Sequence, residues 1–303
     1  MRHLATAVIA AAVVLSCGVV SACTSFASYG DTTYYGMNFD YAEGFPLRLL
    51  VDASGAERVF HLAFMRDGRP IRTSGMNGHG LMSATQELYP EEPGVSSTGP
   101  DDLFIWEVYF RALNGFDSVE QVTELLSTKR VVQPARGPNL HVLVADAHGG
   151  ALVVEPGRET NMVTPIDGGF IVMTNFCVGD LEHSEPMEIP GAGNDRYVVA
   201  RDYLEEYAHS LDLEGAFEVL ERTSSYWTRA SMVFVPERGE VYVAFERDFD
   251  RIVRISIEEA TAETYSGYDG PATWRIGPRG LAATALDGPN PGLLSRVKRW
   301  LGF

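Results

Sequence analysis

The sequence predicts an α+β fold in which antiparallel sheets form layers with helices. Strand-like and helix-like segments occur in blocks, in the order strands, helices, strands, helices, strands. Turn signals join neighbouring strands as hairpins, whereas a parallel sheet needs a crossover helix between consecutive strands. No segment repeats another, so a repeat architecture is not indicated.

The first third of the chain is predicted to form a sheet that opens with a hairpin. Residues 24–29 alternate in polarity, Gly30-Asp31 signals a turn, and residues 32–39 are rich in Thr, Tyr and Phe. The stretch 87–102 is rich in Pro, Gly, Ser and acidic residues, which predicts a long loop of the kind that often has a function. Between them, strands separated by turns are predicted at residues 47–52, 58–65, 69–73 and 79–86.

Helices and further strands follow this loop. Asp101 or Asp102 is expected to cap a helix that ends near Gly115. Ser118 opens a capping-box pattern for a second helix that runs through Leu126. Strands are then predicted at residues 140–147, 151–155, 169–174, 231–236, 240–246 and 251–257, and helices at 196–209 and 213–222.

Both ends of the chain differ from this pattern. Residues 1–22 combine a basic start, a short apolar run and small residues, as in a secretory signal peptide, so cleavage is predicted before Cys23. Residues 23–288 are predicted to form one domain. The last segment, 289–303, places apolar residues on one helical face and basic residues on the other, which fits docking on the domain or peripheral contact with a membrane.

Composition excludes several classes of protein. The 303 residues are 45% hydrophobic and carry 24 basic and 41 acidic side chains, a net charge of −17, which argues against a nucleic-acid partner. Three cysteines are too few for a disulfide scaffold. No group of histidines and carboxylates has the spacing of metal ligands, so neither a metal nor another cofactor is predicted.

Cys23, the predicted first residue of the mature chain, has two interpretations. Residues 20–23 read Val-Ser-Ala-Cys, which also resembles a lipobox, and a cysteine acylated there would make the protein a surface lipoprotein that binds ligands. However, a flexible polar tether usually follows a lipidated cysteine, whereas here a strand begins at once. We therefore favour a catalytic cysteine.

A terminal cysteine can be both nucleophile and base. Its α-amino group, with an ordinary pKa of about 7.7–8.0, can take the thiol proton at neutral pH. Such a site needs an acid to hold the amine, and Asp40, at the end of the strand that returns beside Cys23, is the natural candidate. A papain-like pairing of Cys177 with a histidine is a further alternative.

Several short motifs resemble, in order, those of the choloylglycine hydrolase and penicillin V acylase family. The resemblance implies a four-layer αββα sandwich with two antiparallel sheets, the fold of N-terminal-nucleophile hydrolases, and hydrolysis of linear amide C–N bonds. The motifs are Cys23-Thr24-Ser25-Phe26, Gly36-Met37-Asn38-Phe39-Asp40, Gly75-Met76-Asn77-Gly78-His79-Gly80-Leu81, Thr174-Asn175 and Thr228-Arg229.

The same resemblance implies catalytic roles for four residues. Cys23 would be the nucleophile and, through its amine, the base; Asp40 would contact that amine. Asn175 would contribute a backbone N–H to the oxyanion site, and Arg229 would lie near the thiolate. The residues expected to contact substrate are Phe26, Met37, Asn38 and Tyr89.

Two departures from the family concern specificity. Met37 stands where relatives commonly have arginine, and the segment at 87–89, Glu-Leu-Tyr, has no counterpart of an asparagine found in bile-salt enzymes. We therefore expect an exported protein, periplasmic or extracellular, that acts on a small N-acyl amide with an apolar acyl group. The amine part, the oligomeric state and membrane association stay open. An N-acyltransferase using the same acyl-enzyme is the alternative activity.

Overall fold

A computed structural model of the chain describes residues 23–91, 93–157 and 160–286. The predicted signal peptide, 1–22, and the predicted C-terminal helix, 289–303, lie outside the described residues. None of the helices in the described ranges combines the length and apolar character needed to cross a bilayer.

Strands dominate the described chain. In the first half they are β1 (Thr24–Tyr29), β2 (Thr33–Asp40), β3 (Leu47–Asp52), β4 (Val59–Arg66), β5 (Arg69–Asn77), β6 (Met82–Glu87), β7 (Asp102–Phe104), β8 (Arg130–Val132), β9 (Leu140–Ala145) and β10 (Ala151–Glu155). In the second half they are β11 (Met162–Pro165), β12 (Phe170–Met173), β13 (Asn175–Phe176), β14 (Gly191–Ala192), β15 (Thr228–Val235), β16 (Glu240–Phe245), β17 (Ile252–Ser256), β18 (Thr261–Ser266), β19 (Thr273–Arg275) and β20 (Leu281–Ala282).

Two eight-stranded antiparallel sheets contain most of these strands. The first sheet has the order β12-β1-β2-β15-β16-β17-β18-β19, and the second has the order β11-β10-β9-β6-β5-β4-β3-β20. The hairpin predicted at the start of the mature chain pairs β1 with β2, with Thr24 opposite Asn38. Strand β2 is also paired with β15, so β1 and β2 lie well inside the first sheet.

Helices cover the outer face of each sheet. Helices α1 (Ile105–Gly115) and α2 (Val119–Thr128) bury Ile105, Val108 and Val122 against the second sheet. Helices α3 (Asn194–Tyr207) and α4 (Leu213–Arg222) bury Leu204 and Phe217 against the first sheet. The facing sides of the sheets share the largest apolar core, so the four-layer αββα prediction is confirmed.

The course of the chain differs from the predictions at several elements. Asp102 does not cap a helix; it begins β7 and pairs with Arg130 at 2.9 Å, and α1 starts three residues later. The strands that were not predicted are β7, β8, β11, β13, β14, β18, β19 and β20. All but β18 have only two to four residues, and β18 is largely polar, so they lack a clear alternation. Of these, β11, β19 and β20 form edges of the two large sheets.

Candidate active site

Cys23 lies directly before β1 and is 7% exposed. Its Sγ atom accepts a hydrogen bond from the backbone N–H of Asp40 at 3.4 Å and faces the carbonyl of the same residue at 3.7 Å. Burial, and then the charge of Asp40, raise the pKa of the Cys23 thiol, although the Asp40 N–H and Arg196 act in the opposite direction. The thiol is therefore protonated near neutral pH and needs a base before it can attack.

Asp40 ends β2 and is almost fully buried. Its carboxylate accepts hydrogen bonds from the hydroxyl groups of Thr228 and Ser225, both at 2.6 Å. Burial raises the pKa of Asp40, and these two hydroxyl groups and Arg196 partly offset the rise. The two hydroxyl donors hold the carboxylate in one orientation beside Cys23.

Arg196 is a cation that the sequence analysis did not single out. It lies in the first turn of α3, and its Nη1 atom is 3.6 Å from the Asp40 carboxylate and 3.3 Å from the Thr24 hydroxyl. Gly193, just before the helix, has φ +78°, and a side chain there would collide with the Arg196 guanidinium. The glycine thus leaves room for the arginine to reach the end of β1.

Arg229, which the family resemblance implies near the thiolate, makes its hydrogen bonds with other groups. It lies at an irregularity in the pairing of β15 with β2, where the side chains shift register. Its guanidinium binds Glu246 at 2.7 Å and the carbonyl of Ala42 at 3.2 Å. Arg196 has a guanidinium whose charge acts to lower the pKa of the Cys23 thiol.

Asn175 is buried and joins two segments next to the predicted loop. Its side-chain Nδ2 donates to the main-chain carbonyl of Glu87 at 2.6 Å, and its main-chain carbonyl accepts from the N–H of Tyr89 at 3.0 Å. The Oδ1 atom is buried without a hydrogen-bond partner in the described part of the chain. Asn175 therefore fixes the end of β6 and carries an unsatisfied polar atom.

Cys177, the other cysteine in the described ranges, belongs to a separate buried cluster. Its thiol donates to Glu155 at 3.3 Å, and the other oxygen of Glu155 lies 2.9 Å from Nδ1 of His141. The Nε2 atom of His141 is engaged with the carbonyl of Thr174 at 2.6 Å. Both ring nitrogens are thus occupied, so this histidine is not placed to deprotonate Cys177 as a papain-like site requires.

A cavity of about 370 Å³ opens at Cys23. Its walls are mainly aromatic and apolar, with the carboxylates of Asp40 and Glu87 near the cysteine and two guanidinium groups, Arg66 and Arg72. None of the described residues that line it is a histidine. The aromatic lining residues are Phe39, Tyr41, Phe64, Trp106, Tyr109 and Phe110.

The four residues expected to contact substrate do not line this cavity. Alternation along β1 turns Phe26 to the face opposite Cys23, where it packs among the residues under α3 and α4. Met37 is buried between the two sheets. The side-chain amide of Asn38 donates to the carbonyl of Leu220 and the hydroxyl of Thr223, and it accepts from the hydroxyl of Ser231. The Tyr89 hydroxyl donates to Glu87 at 2.5 Å. Phe26, Met37 and Asn38 therefore have structural roles, whereas substrate contact by Tyr89, which binds the cavity residue Glu87, stays a prediction.

No family profile and no curated protein sequence matches the chain. Solved structures do. A conjugated bile acid hydrolase from Clostridium perfringens superposes with a TM-score of 0.59 at 16% identity, covering 84% of this chain and 97% of that one. Penicillin V acylase from Agrobacterium tumefaciens gives 0.60 at 17% identity, covering 80% and 91%.

A third similar structure is a Caenorhabditis elegans ortholog of N-acylethanolamine-hydrolyzing acid amidase. It superposes with a TM-score of 0.50 at 18% identity and covers 71% of this chain and 93% of that one. At these identities the likeness establishes the fold. The fold that the motifs implied, that of the N-terminal-nucleophile hydrolases, is confirmed.

Proposed function

We propose that the chain is an exported hydrolase of linear, non-peptide C–N amide bonds that uses Cys23 as an N-terminal nucleophile. The observation that carries the proposal is the position of Cys23, which directly precedes β1, is buried beside Asp40 and lines an aromatic cavity with no histidine among its described lining residues. Removal of residues 1–22 would free the α-amine of this residue, a base within reach of its own thiol.

The proposed reaction has two halves. The amine of Cys23 accepts the thiol proton while Sγ attacks the amide carbonyl carbon, and the C–N bond breaks as the ammonium returns that proton to the leaving nitrogen. Water then attacks the thioester, loses a proton to the amine and releases the carboxylic acid with the free thiol. A donor at Asn175 would stabilise the oxyanion in both halves.

The charges around Cys23 fit this chemistry. Burial raises the thiol pKa, so the thiolate forms only when a base removes the proton. The ammonium then formed would lie beside Asp40, whose carboxylate is held by Thr228 and Ser225, and the thiolate would face Arg196. The aromatic walls of the cavity suit an apolar acyl group.

The lipoprotein alternative is less well supported. The Sγ atom of Cys23 is engaged with the backbone of Asp40 inside the first sheet, whereas a lipidated sulfur must reach a membrane surface. An acyltransferase would use the same thioester with an amine in place of water. Peripheral membrane contact through residues 289–303 remains part of the proposal for an exported protein.

The test compares two cysteine variants of the mature protein, Cys23→Ser and Cys177→Ser, against a panel of N-acyl amides. We expect a covalent thioester on Cys23, detected by mass spectrometry after acid quenching, and loss of turnover in Cys23→Ser alone. Intact mass should give an unmodified N-terminal cysteine in the exported protein. A diacylglyceryl cysteine, or loss of turnover only in Cys177→Ser, would contradict the proposal.

A further inference from the structure

A second and larger cavity, of about 770 Å³, lies at the end of the second sheet. Strand β3, the β3–β4 turn, the start of β5 and the segment that follows β19 enclose it. We call it the arginine cavity, because five guanidinium groups and only two carboxylates line it. The arginines are Arg48, Arg58, Arg72, Arg275 and Arg279, and the carboxylates are Asp52 and Glu259.

This charge is opposite to that of the chain. Acidic side chains outnumber basic ones by 41 to 24 overall, so most guanidinium groups have carboxylates available. Nevertheless, within the described residues the side chains of Arg58, Arg275 and Arg279 make no hydrogen bond or ion pair with protein. A cleft of unpaired guanidinium groups concentrates positive potential and attracts anions.

The remaining two arginines are held in place. Arg48 donates to the carbonyl of Arg279 at 2.8 Å, which fixes the segment after β19 against β3. Arg72 binds Asp52 at 3.3 Å, but its Nε atom is buried and has no partner in the described ranges. A buried N–H donor without an acceptor is costly, so the pairing with Asp52 does not fully satisfy the Arg72 guanidinium.

Arg72 also connects the arginine cavity with the cavity at Cys23. Together with Pro70 it lines both the arginine cavity and the cavity at Cys23. Its guanidinium is therefore placed to respond to a ligand on either side. The two cavities meet along the start of β5.

We propose that the arginine cavity binds an oxyanion, a carboxylate, sulfonate or phosphate group, through Arg58, Arg275 and Arg279. Guanidinium groups suit such ligands, because their planar donors form paired hydrogen bonds with two oxygens. The oxyanion has two sources, the charged end of a substrate whose amide lies at Cys23 or a separate small anion.

The direct test is calorimetric titration of the mature protein with inorganic phosphate and with succinate at constant ionic strength. We expect saturable binding at one site, weakened at least tenfold in Arg275→Gln and in the double variant Arg58→Gln/Arg279→Gln. The matched control is Arg222→Gln, which removes the same charge from an exposed pair with Glu218 on α4. Binding that is absent, or that weakens equally in the control, overturns the proposal.

The source of the anion is separated by competition in the Cys23→Ser protein, so this arm does not depend on turnover. An N-acyl amide with a terminal carboxylate should displace phosphate if the anion belongs to the substrate, while its methyl ester should not. If neither compound displaces phosphate, the oxyanion is a separate ligand. Melting temperatures of all variants should stay near that of the wild type, because the substituted side chains are exposed.

Discussion

The Nε2 atom of His141 lies 2.6 Å from the main-chain carbonyl of Thr174, the residue directly before Asn175. A carbonyl only accepts hydrogen bonds, so Nε2 carries its proton. Burial by itself would raise the pKa of Glu155, but the hydrogen bond and charge of His141, with the N–H groups of Gly179 and Val178, hold the pKa below its usual value. His141 thus links Glu155 to the main chain of Thr174 and anchors the proposed oxyanion segment.

The first prediction concerns this anchor. His141→Gln should lower kcat of the proposed hydrolase by up to about 100-fold, because small displacements of a catalytic segment have effects of that size. KM should change much less, since the residue lies outside the aromatic cavity. Steady-state kinetics measures both, with His148→Gln, in the β9–β10 turn, as the control. An equal rise in KM with unchanged kcat would contradict a positioning role.

Glu155→Gln should destabilise the protein by about 3–5 kcal/mol at pH 7, because it removes the buried carboxylate that accepts hydrogen bonds from His141, Cys177 and the N–H groups of Val178 and Gly179. A carboxylate with a lowered native pKa contributes stability that is fully present above its unfolded pKa of about 4.3 and is lost as pH falls through the native pKa. The difference between wild type and variant should therefore shrink below about pH 4. Urea unfolding at pH 7 and pH 3.5 measures it, and the exposed Glu182→Gln should differ little from wild type at either pH.

The sequence predicted the core of the site because its key contact is local. A hairpin with Thr24 opposite Asn38 necessarily brings Cys23 beside Asp40. Arg196 lies 172 positions from Thr24, and no local pattern marks an arginine in the first turn of a helix as part of a distant site. Phe26 was assigned to the substrate cavity although the period-two alternation of β1 turns it away from Cys23.

The same limit applies to the residues around Asp40. Ser225 and Thr228 reach its carboxylate from a segment 185 and 188 positions away, and no local pattern marks their hydroxyl groups as partners of Asp40. Arg229 did carry a signal, through the motif Thr228-Arg229, but the bulge at this point directs it to Glu246. The motif thus located the start of β15 correctly, but the structure was needed to identify Thr228 as the residue of this motif that contacts Asp40.

Arg196→Gln and Arg229→Gln should therefore have different effects on the nucleophile. Arg196 favours the thiolate of Cys23, so its loss should raise the thiol pKa further and slow alkylation by iodoacetamide at pH 8 by about tenfold, the effect of one pKa unit. Arg229→Gln should alkylate at nearly the wild-type rate, because its charge is paired with Glu246. Wild type and both variants carry the additional substitution Cys177→Ser, so that alkylation reports on Cys23. If Arg229→Gln slowed alkylation more than Arg196→Gln, Arg229 would have the role beside the thiolate that the family resemblance implies.

His61 predicts a second, independent pH dependence. It is buried against Tyr109, with its Nδ1 atom 2.7 Å from the tyrosine hydroxyl, and burial, with the charge of Arg72, lowers its pKa to about 3. Neutral His61 contributes stability that is fully present above its unfolded pKa of about 6.5 and is lost as pH falls towards the native value.

Well below pH 6.5 each pH unit should cost about 1.4 kcal/mol, so wild type should lose about 2.3 kcal/mol between pH 6.5 and 4.5 from this residue. Urea unfolding measures the free energy of unfolding at these two pH values, and this free energy should change less with pH in His61→Gln than in wild type. Tyr109→Phe keeps the histidine buried, so it should show the wild-type dependence on pH at a lower overall stability. Equal slopes for wild type and His61→Gln would mean that His61 is protonated in the folded protein, and its hydrogen bond to Tyr109 would then run from Nδ1 to the hydroxyl oxygen.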